Sequence, residues 1–215
     1  MAQIKSSTNL LITLAILTAC SGVSPESENV VILKNELQNG DIVFHISKSE
    51  QSKAIQLATN SKYSHMGIVY NLNNELVVYE AVQPVKFTPL DDWIKRGENG
   101  HYVAKRLKNA DSILTPDILN KMKGIGEAYL NKDYDIYFEW SDERIYCSEL
   151  VWKIYQEATG IEIGQLGQLR DFDLTHETVK KKMRERYGKE APMEEQVISP
   201  AEMFNSTLLV TVIEN

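Results

Sequence analysis

The chain has two cysteines and four histidines, and few of them are placed where they could do chemistry. Cys147 lies in Tyr146-Cys147-Ser148-Glu149-Leu150-Val151, where helical spacing begins. At a helix start the partial positive charge and unpaired backbone N–H groups favour a thiolate, the nucleophilic form of cysteine. The alternative for such a thiol is a small buried hydrophobe. A thiolate nucleophile needs a base. His45 alternates with Ile42, Phe44 and Ile46 and is expected to face solvent, while His101 and His176 fall in polar surroundings where a surface role is the default. His65 differs, because it opens an apolar run after Ser61-Lys62-Tyr63-Ser64, so its ring can meet a cleft while the residues behind it pack.

Glu80 strengthens the case for His65. Leu76, Val78, Glu80 and Val82 share one face of a strand, so a carboxylate occupies an apolar row and needs a partner. A two-residue turn at Asn73-Asn74 sets Glu80 diagonal to His65, whereas a four-residue loop over Asn71 to Asn74 sets the two directly opposite. Directly opposed Cβ atoms are about 5 Å apart and diagonal ones about 7 to 8 Å, so both registers allow contact. Cys147, His65 and Glu80 then form a candidate nucleophile, base and orienter for attack on an amide or acyl carbonyl. Tyr63, two residues before the base, is a candidate oxyanion donor or a cleft-lining residue.

Other chemistries lack their residues. One internal thiol and scattered histidines give no zinc-ligand spacing, so no metal is expected, and no other cofactor. No Gly-x-x-x-x-Gly-Lys loop cradles phosphate, and no Gly-x-Ser-x-Gly elbow presents a serine.

The positioning elements follow from pattern. Strands are expected over Val30 to Leu33, Asp41 to Ile46, His65 to Tyr70, Glu75 to Val82, Val85 to Thr88, His101 to Leu107 and Leu208 to Ile213. Helices are expected after Ser47-Lys48-Ser49-Glu50, which has capping-box spacing, and over Leu90 to Arg96, closed by Gly97. Thr115-Pro116 and Ser199-Pro200 read as an N-cap followed by proline in the first turn. The cysteine helix runs from about Ile145 to Thr159 and stops at Gly160, with Asp142 as an alternative cap. A charged helix over Thr175 to Tyr187 reads as a solvated face. Strands dominate the first half, which argues for an α+β fold with an antiparallel sheet packed against helices.

The N-terminus reads as an address. A start bearing Lys5 precedes Leu10-Leu11-Ile12-Thr13-Leu14-Ala15-Ile16-Leu17-Thr18-Ala19, an apolar run too short to span a bilayer, which needs about 20 residues. Leu17-Thr18-Ala19-Cys20 resembles a bacterial lipobox, in which the cysteine becomes the lipidated first residue. The expected organisation is a signal peptide over 1–19, a lipidated Cys20 with a flexible tether over 20–29, and one domain over 30–215. That resemblance implies a cell-envelope protein held to a bacterial membrane on its extracytoplasmic side. Of 215 residues, 43% are hydrophobic and 25% charged, the balance of an ordinary globular domain. With 23 Lys and Arg against 30 Asp and Glu, nucleic acid is not an expected partner.

The order of pieces resembles a known family. Gly40-Asp41-Ile42-Val43-Phe44, Gln51-Ser52-Lys53-Ala54-Ile55-Gln56, Tyr63-Ser64-His65-Met66-Gly67-Ile68-Val69, Tyr79-Glu80-Ala81, Ile145-Tyr146-Cys147-Ser148-Glu149-Leu150 and Val197-Ile198-Ser199-Pro200 together resemble the permuted papain-like amidases of the YiiX and YaeF type, relatives of the NlpC-like cell-wall hydrolases. The resemblance covers most of Leu37 to Phe204. It implies a permuted papain-like fold in which histidine precedes cysteine, with Cys147 as nucleophile, His65 as base and Glu80 as the third polar residue. The implied activity is cleavage of an amide bond, peptide or N-acyl, through an acyl-enzyme. The implied partner is an amide- or acyl-containing small molecule, peptide or lipid. Acyl transfer or ester cleavage with the same triad, and a non-catalytic envelope binding module, are the alternatives.

Overall fold

A computed structural model describes residues 36–215 of the chain. The signal segment, Cys20, the tether and the strand expected at Val30 to Leu33 lie outside the described residues. The elements in chain order are β1 (Ile42–Ser47), α1 (Glu50–Thr59), β2 (His65–Leu72), β3 (Glu75–Glu80), β4 (Lys86–Pro89), α2 (Leu90–Arg96), β5 (Gly97–Leu107), α3 (Ala110–Ile113), α4 (Pro116–Glu127), α5 (Cys147–Thr159), β6 (Gly167–Gln168), α6 (Glu177–Tyr187), β7 (Gln196–Val197), α7 (Pro200–Phe204) and β8 (Leu209–Glu214). One antiparallel sheet of six strands in the order β4-β3-β2-β1-β5-β8 forms the platform. The fold is α+β, with helices on both faces of the sheet.

Alternation along the strands divides the core in two. Ile42, Phe44, Met66, Ile68 and Tyr79 point to one face and pack with Leu150, Val151, Ile154 and Tyr155 of α5 and Met122 of α4. Val43, Val69, Val78 and Ala104 point to the other, where α2 covers them with Leu90 and Trp93. Burying each large side chain of this kind stabilises the fold by about 1.5–3 kcal/mol, so both layers hold the sheet firmly. Helix α2 runs over the residues its pattern marked, yet Gly97 ends it in extended backbone, at φ −68° and ψ 156°, and passes straight into β5.

Local signals placed most elements. Thr115 caps α4 by accepting from the Ile118 N–H, and Ser199 caps α7 by accepting from the Glu202 N–H. The cap of α1 is Ser49 rather than Ser47, because its hydroxyl is the one that reaches the Ser52 N–H. The β2–β3 turn is the two-residue one. Asn73 and Asn74 take φ of 54° and 68°, the left-handed region a tight hairpin needs and asparagine tolerates. Ile68 therefore pairs with Tyr79 and Leu72 with Glu75. Continued to the far end of the strands, this register sets Glu80 opposite Gly67 and diagonal to His65.

Candidate active site

Gly67 is what lets the diagonal pair close. A Cβ at this position would lie 2.5 Å from Val78 Cγ1 and 3.3 Å from the Glu80 Cβ, so any side chain there would crowd the strand that carries Glu80. With that space free, His65 Nε2 lies 2.6 Å from Glu80 Oε2, in a buried hydrogen bond. The second Glu80 oxygen accepts from the Thr88 hydroxyl at 2.6 Å and from the Arg96 guanidinium. Thr88 comes from β4 and Arg96 from the last turn of α2, so elements on either side of the carboxylate fix it. A fully buried carboxylate is thereby satisfied by three partners, as such a charge requires.

Cys147 is the first residue of α5. The N-cap is Tyr146, not Asp142. The Tyr146 N–H donates to Glu149 Oε2 at 3.3 Å, and Glu149 in turn pairs with Lys153 at 2.8 Å. The strand segment before α7 clamps this helix start from the side. The Ile198 N–H donates to the Tyr146 hydroxyl at 3.1 Å, and its carbonyl accepts from the Ser148 hydroxyl at 2.8 Å. Both neighbours of Cys147 are thus tied to one residue some fifty positions later in the chain.

Cys147 acts directly on the His65 ring, so the start of α5 meets the end of the sheet where β2 begins. Because Nε2 is engaged by Glu80, Nδ1 is the ring nitrogen left for the sulfur. Burial opposes a charge on His65, but the interactions with Cys147 and Glu80 outweigh it and raise its pKa to about 9. Burial likewise opposes ionisation of Glu80, and the hydrogen bond and charge of His65, with Arg96 and Thr88, bring it down to about 2. The arrangement therefore holds an imidazolium between a carboxylate and a sulfur at neutral pH.

Three further residues complete the surroundings, and sequence reasoning passed over or misplaced each of them. Tyr134, in the loop before α5, interacts with Cys147 and accepts from Gln51 Nε2 at 3.1 Å. Burial and the neighbouring sulfur push its phenol well above the usual range, so it remains a hydrogen-bond donor. His45 does point away from Phe44, but not into solvent. Its ring stacks on Trp93 at 4.1 Å and lies 5.1 Å from His65, because α2 roofs that face of the sheet. Burial, then the charges of His65 and Arg96, lower its pKa to about 2, which leaves it neutral. Tyr63 is buried against Phe44 and stacks on Phe204, on the sheet face opposite α2, and it lines neither of the two cavities around the site. It is a packing residue. Of the other aromatics near the site, Trp93 covers His45, Trp140 packs edge-on to Trp152, and Phe138 lines a cavity.

Those two cavities meet at Tyr134 and Ile55, which line both. On the Cys147 side is an apolar pocket with about 680 Å³ of empty space, its mouth included, walled by Ala54, Phe138, Leu169, Val179 and Ile198. On the His65 side is an open cleft of about 1170 Å³ with Ser52, Ser64, Gln83, Asp133 and Arg144 in its walls.

A family model for permuted papain-like amidases, the YaeF/YiiX or C92 family, matches residues 36–213. The chain belongs to this family. It is 49% identical over 175 residues to the uncharacterized protein YiiX of Escherichia coli strain K12, covering 81% of this chain and 85% of that one. The fold matches a crystal structure described as the metalloprotein YiiX from Escherichia coli O157:H7, with a TM-score of 0.80, 48% identity, and coverage of 84% of this chain and 98% of that one. The architecture is thus the permuted papain-like fold, and the protein is a cysteine amidase- or peptidase-like hydrolase. That crystal structure's description raises the question of a metal. Among the described residues of this chain, no three His, Cys, Asp or Glu side chains converge to hold one. The His65–Glu80 pair is closed by Thr88 and Arg96, a cation where a second metal ligand would need to be. These residues do not fit a resident metal ion.

Proposed function

We propose that the protein is a lipid-anchored, extracytoplasmic amidase in which Cys147 is the nucleophile, His65 the general base and acid, and Glu80 the residue that orients His65. The observation that carries this reading is the hydrogen-bonded line from Thr88 and Arg96 through Glu80 to His65, whose ring in turn interacts with Cys147. The Cys147 sulfur, as a thiolate beside the imidazolium, attacks the amide carbonyl. A C–S bond forms and the carbonyl electrons move to oxygen, where the Cys147 backbone N–H, unpaired at the helix start, and the Tyr134 hydroxyl can donate. As the oxyanion collapses, the C–N bond breaks and His65 gives its proton to the departing nitrogen. Water then attacks the thioester, returns a proton to His65 and releases the acid.

The two cavities support an assignment of the substrate's halves. The acyl half becomes bonded to Cys147 and so belongs in the apolar pocket. The amine half leaves past His65 and belongs in the polar cleft. An apolar acyl group on a polar amine is the substrate class this supports, and the open cleft on the His65 side gives water the access that hydrolysis needs. The test is incubation with N-acyl amides of that kind and mass spectrometry of the quenched protein. An acyl adduct on the Cys147 peptide with amine released is the expected result, and amine release without any adduct on this residue would overturn the acyl-enzyme route.

Membrane attachment rests on Leu17-Thr18-Ala19-Cys20 at the end of the signal segment. In a Cys20→Ser variant the protein should leave the membrane fraction for the soluble extracytoplasmic one, or remain unprocessed. Unchanged membrane association, with no acyl chain detected on the wild-type protein, would reject the anchor.

A further inference from the structure

The wall of the apolar pocket contains a charge that the mechanism does not use. Helix α6 reads as a charged run, yet one of its faces is not solvated: Val179, Lys182, Met183 and Arg186 all line the pocket that holds Cys147. Lys182 is accounted for by Glu50 at 3.2 Å and Glu185 at 2.8 Å. Arg186 has no such partner. Its guanidinium lies 4.9 Å from the centre of the Phe138 ring, and among the described residues no carboxylate reaches it within ion-pair distance. Asp135 and Glu185 act on it only as more distant charges. Its place in the last turn of α6 gives a cation some support from the helix dipole. Burial works against that charge, and weakens its hold on the proton.

A half-buried guanidinium that is stacked on an aromatic ring and free of acids presents its donor fork to whatever enters the pocket. Cys147, Tyr134 and Arg186 line the same pocket, so a group bonded to the sulfur there meets the cation as well. We infer that Arg186 is a specificity-determining residue, which selects amides whose acyl half has an apolar stem and a carboxylate that pairs with the guanidinium. This rests on the amidase reading above and adds to it the substrate feature that the apolar wall alone would reject. A chain of CH₂ groups meets Val179, Met183 and Phe138, and the carboxylate finds the Arg186 guanidinium beside them.

The experiment uses coumarin amides with a constant leaving group, 7-amino-4-methylcoumarin. One series carries straight-chain dicarboxylic half-acids of increasing length as the acyl half, and the other carries methyl-ended alkanoyl groups of matching length. With the full-length protein, kcat/KM for the half-acid should exceed that of its neutral match by about tenfold or more at one preferred length, the effect expected of a charge-assisted pair. The preferred length measures the reach from Cys147 to Arg186. In Arg186→Met, whose apolar stem still covers Phe138, the ratio should fall to about one, and Arg186→Lys should keep part of it, because the charge survives while the fork is lost. Circular dichroism of both variants establishes that they fold. A wild-type ratio of one, or a ratio that Arg186→Met leaves intact, overturns the role of Arg186. If neutral amides are then still cleaved in a Cys147-dependent way, the amidase reading stands without it; if neither series is cleaved, both fall together.

Discussion

Replacing Cys147 by alanine should abolish amide cleavage, with kcat/KM falling by about a thousandfold or more, since the proposed route passes through its sulfur. It is the only cysteine among the described residues. The substitution should leave the fold nearly intact. The anchors of the helix start are made by its neighbours, Tyr146 and Ser148 to Ile198, and do not pass through the sulfur. Loss of activity with an only slightly lowered melting temperature is therefore the expected pair of results, measured by steady-state kinetics on N-acyl amides and by thermal unfolding. Cleavage within a few fold of wild type would remove Cys147 from the mechanism.

Glu80→Gln should lower kcat by about a hundredfold or more while affecting KM far less, because Glu80 touches His65 and not the substrate. A glutamine amide keeps one acceptor but loses the charge that opposes Arg96 and the imidazolium. His65 should then lose much of what holds it protonated at neutral pH. Stability should change as well, with a pH dependence whose sign is fixed. The Glu80 carboxyl is depressed to about 2 in the fold, so its contribution is present above the unfolded carboxyl value, about 4.3, and is lost as pH falls through about 2. His65 is raised to about 9, so its contribution is complete below about 6.5 and is lost as pH rises through about 9. Wild type should thus lose stability on both limbs, and Glu80→Gln should flatten both. Urea unfolding from pH 2 to pH 10 reads this directly. A variant as pH-dependent as wild type would mean that Glu80 and His65 are not coupled in the fold.

Much of this architecture was legible in the residues. Asn73-Asn74 left two registers open, and the left-handed backbone of both asparagines selects the two-residue turn. The pairing of His65 with Glu80 was readable because alternation put a carboxylate in an apolar row, and such a group must find a partner. That reasoning could not name Thr88 and Arg96, since it says only that a partner exists and not which loops bring one. The error at His45 has the same source. Strand alternation reports the face a side chain takes and is silent on what covers that face, which here is Trp93 from α2. Tyr134 lies in a loop without periodicity, where nothing local marks a residue that later elements will press against the thiol. Arg186 was hidden by its neighbours, because a run of charges looks solvated unless Val179 and Met183 are read as a second, apolar face of the same helix.

The central claim is that His65 and Cys147 act as one unit, and the pH dependence of Cys147 alkylation by iodoacetamide tests it most directly. In Cys20→Ser protein, so that Cys147 is the sole thiol, the rate should stay high from pH 8.5 down through neutrality, because a charged His65 favours the thiolate beside it. In the same protein carrying His65→Ala, the rate should fall by about tenfold for each pH unit below about 8.5, as for an ordinary thiol. Two superimposable profiles, both rising near 8.5, would contradict the account, leaving Cys147 a buried thiol and His65 a histidine paired with Glu80 for structure alone.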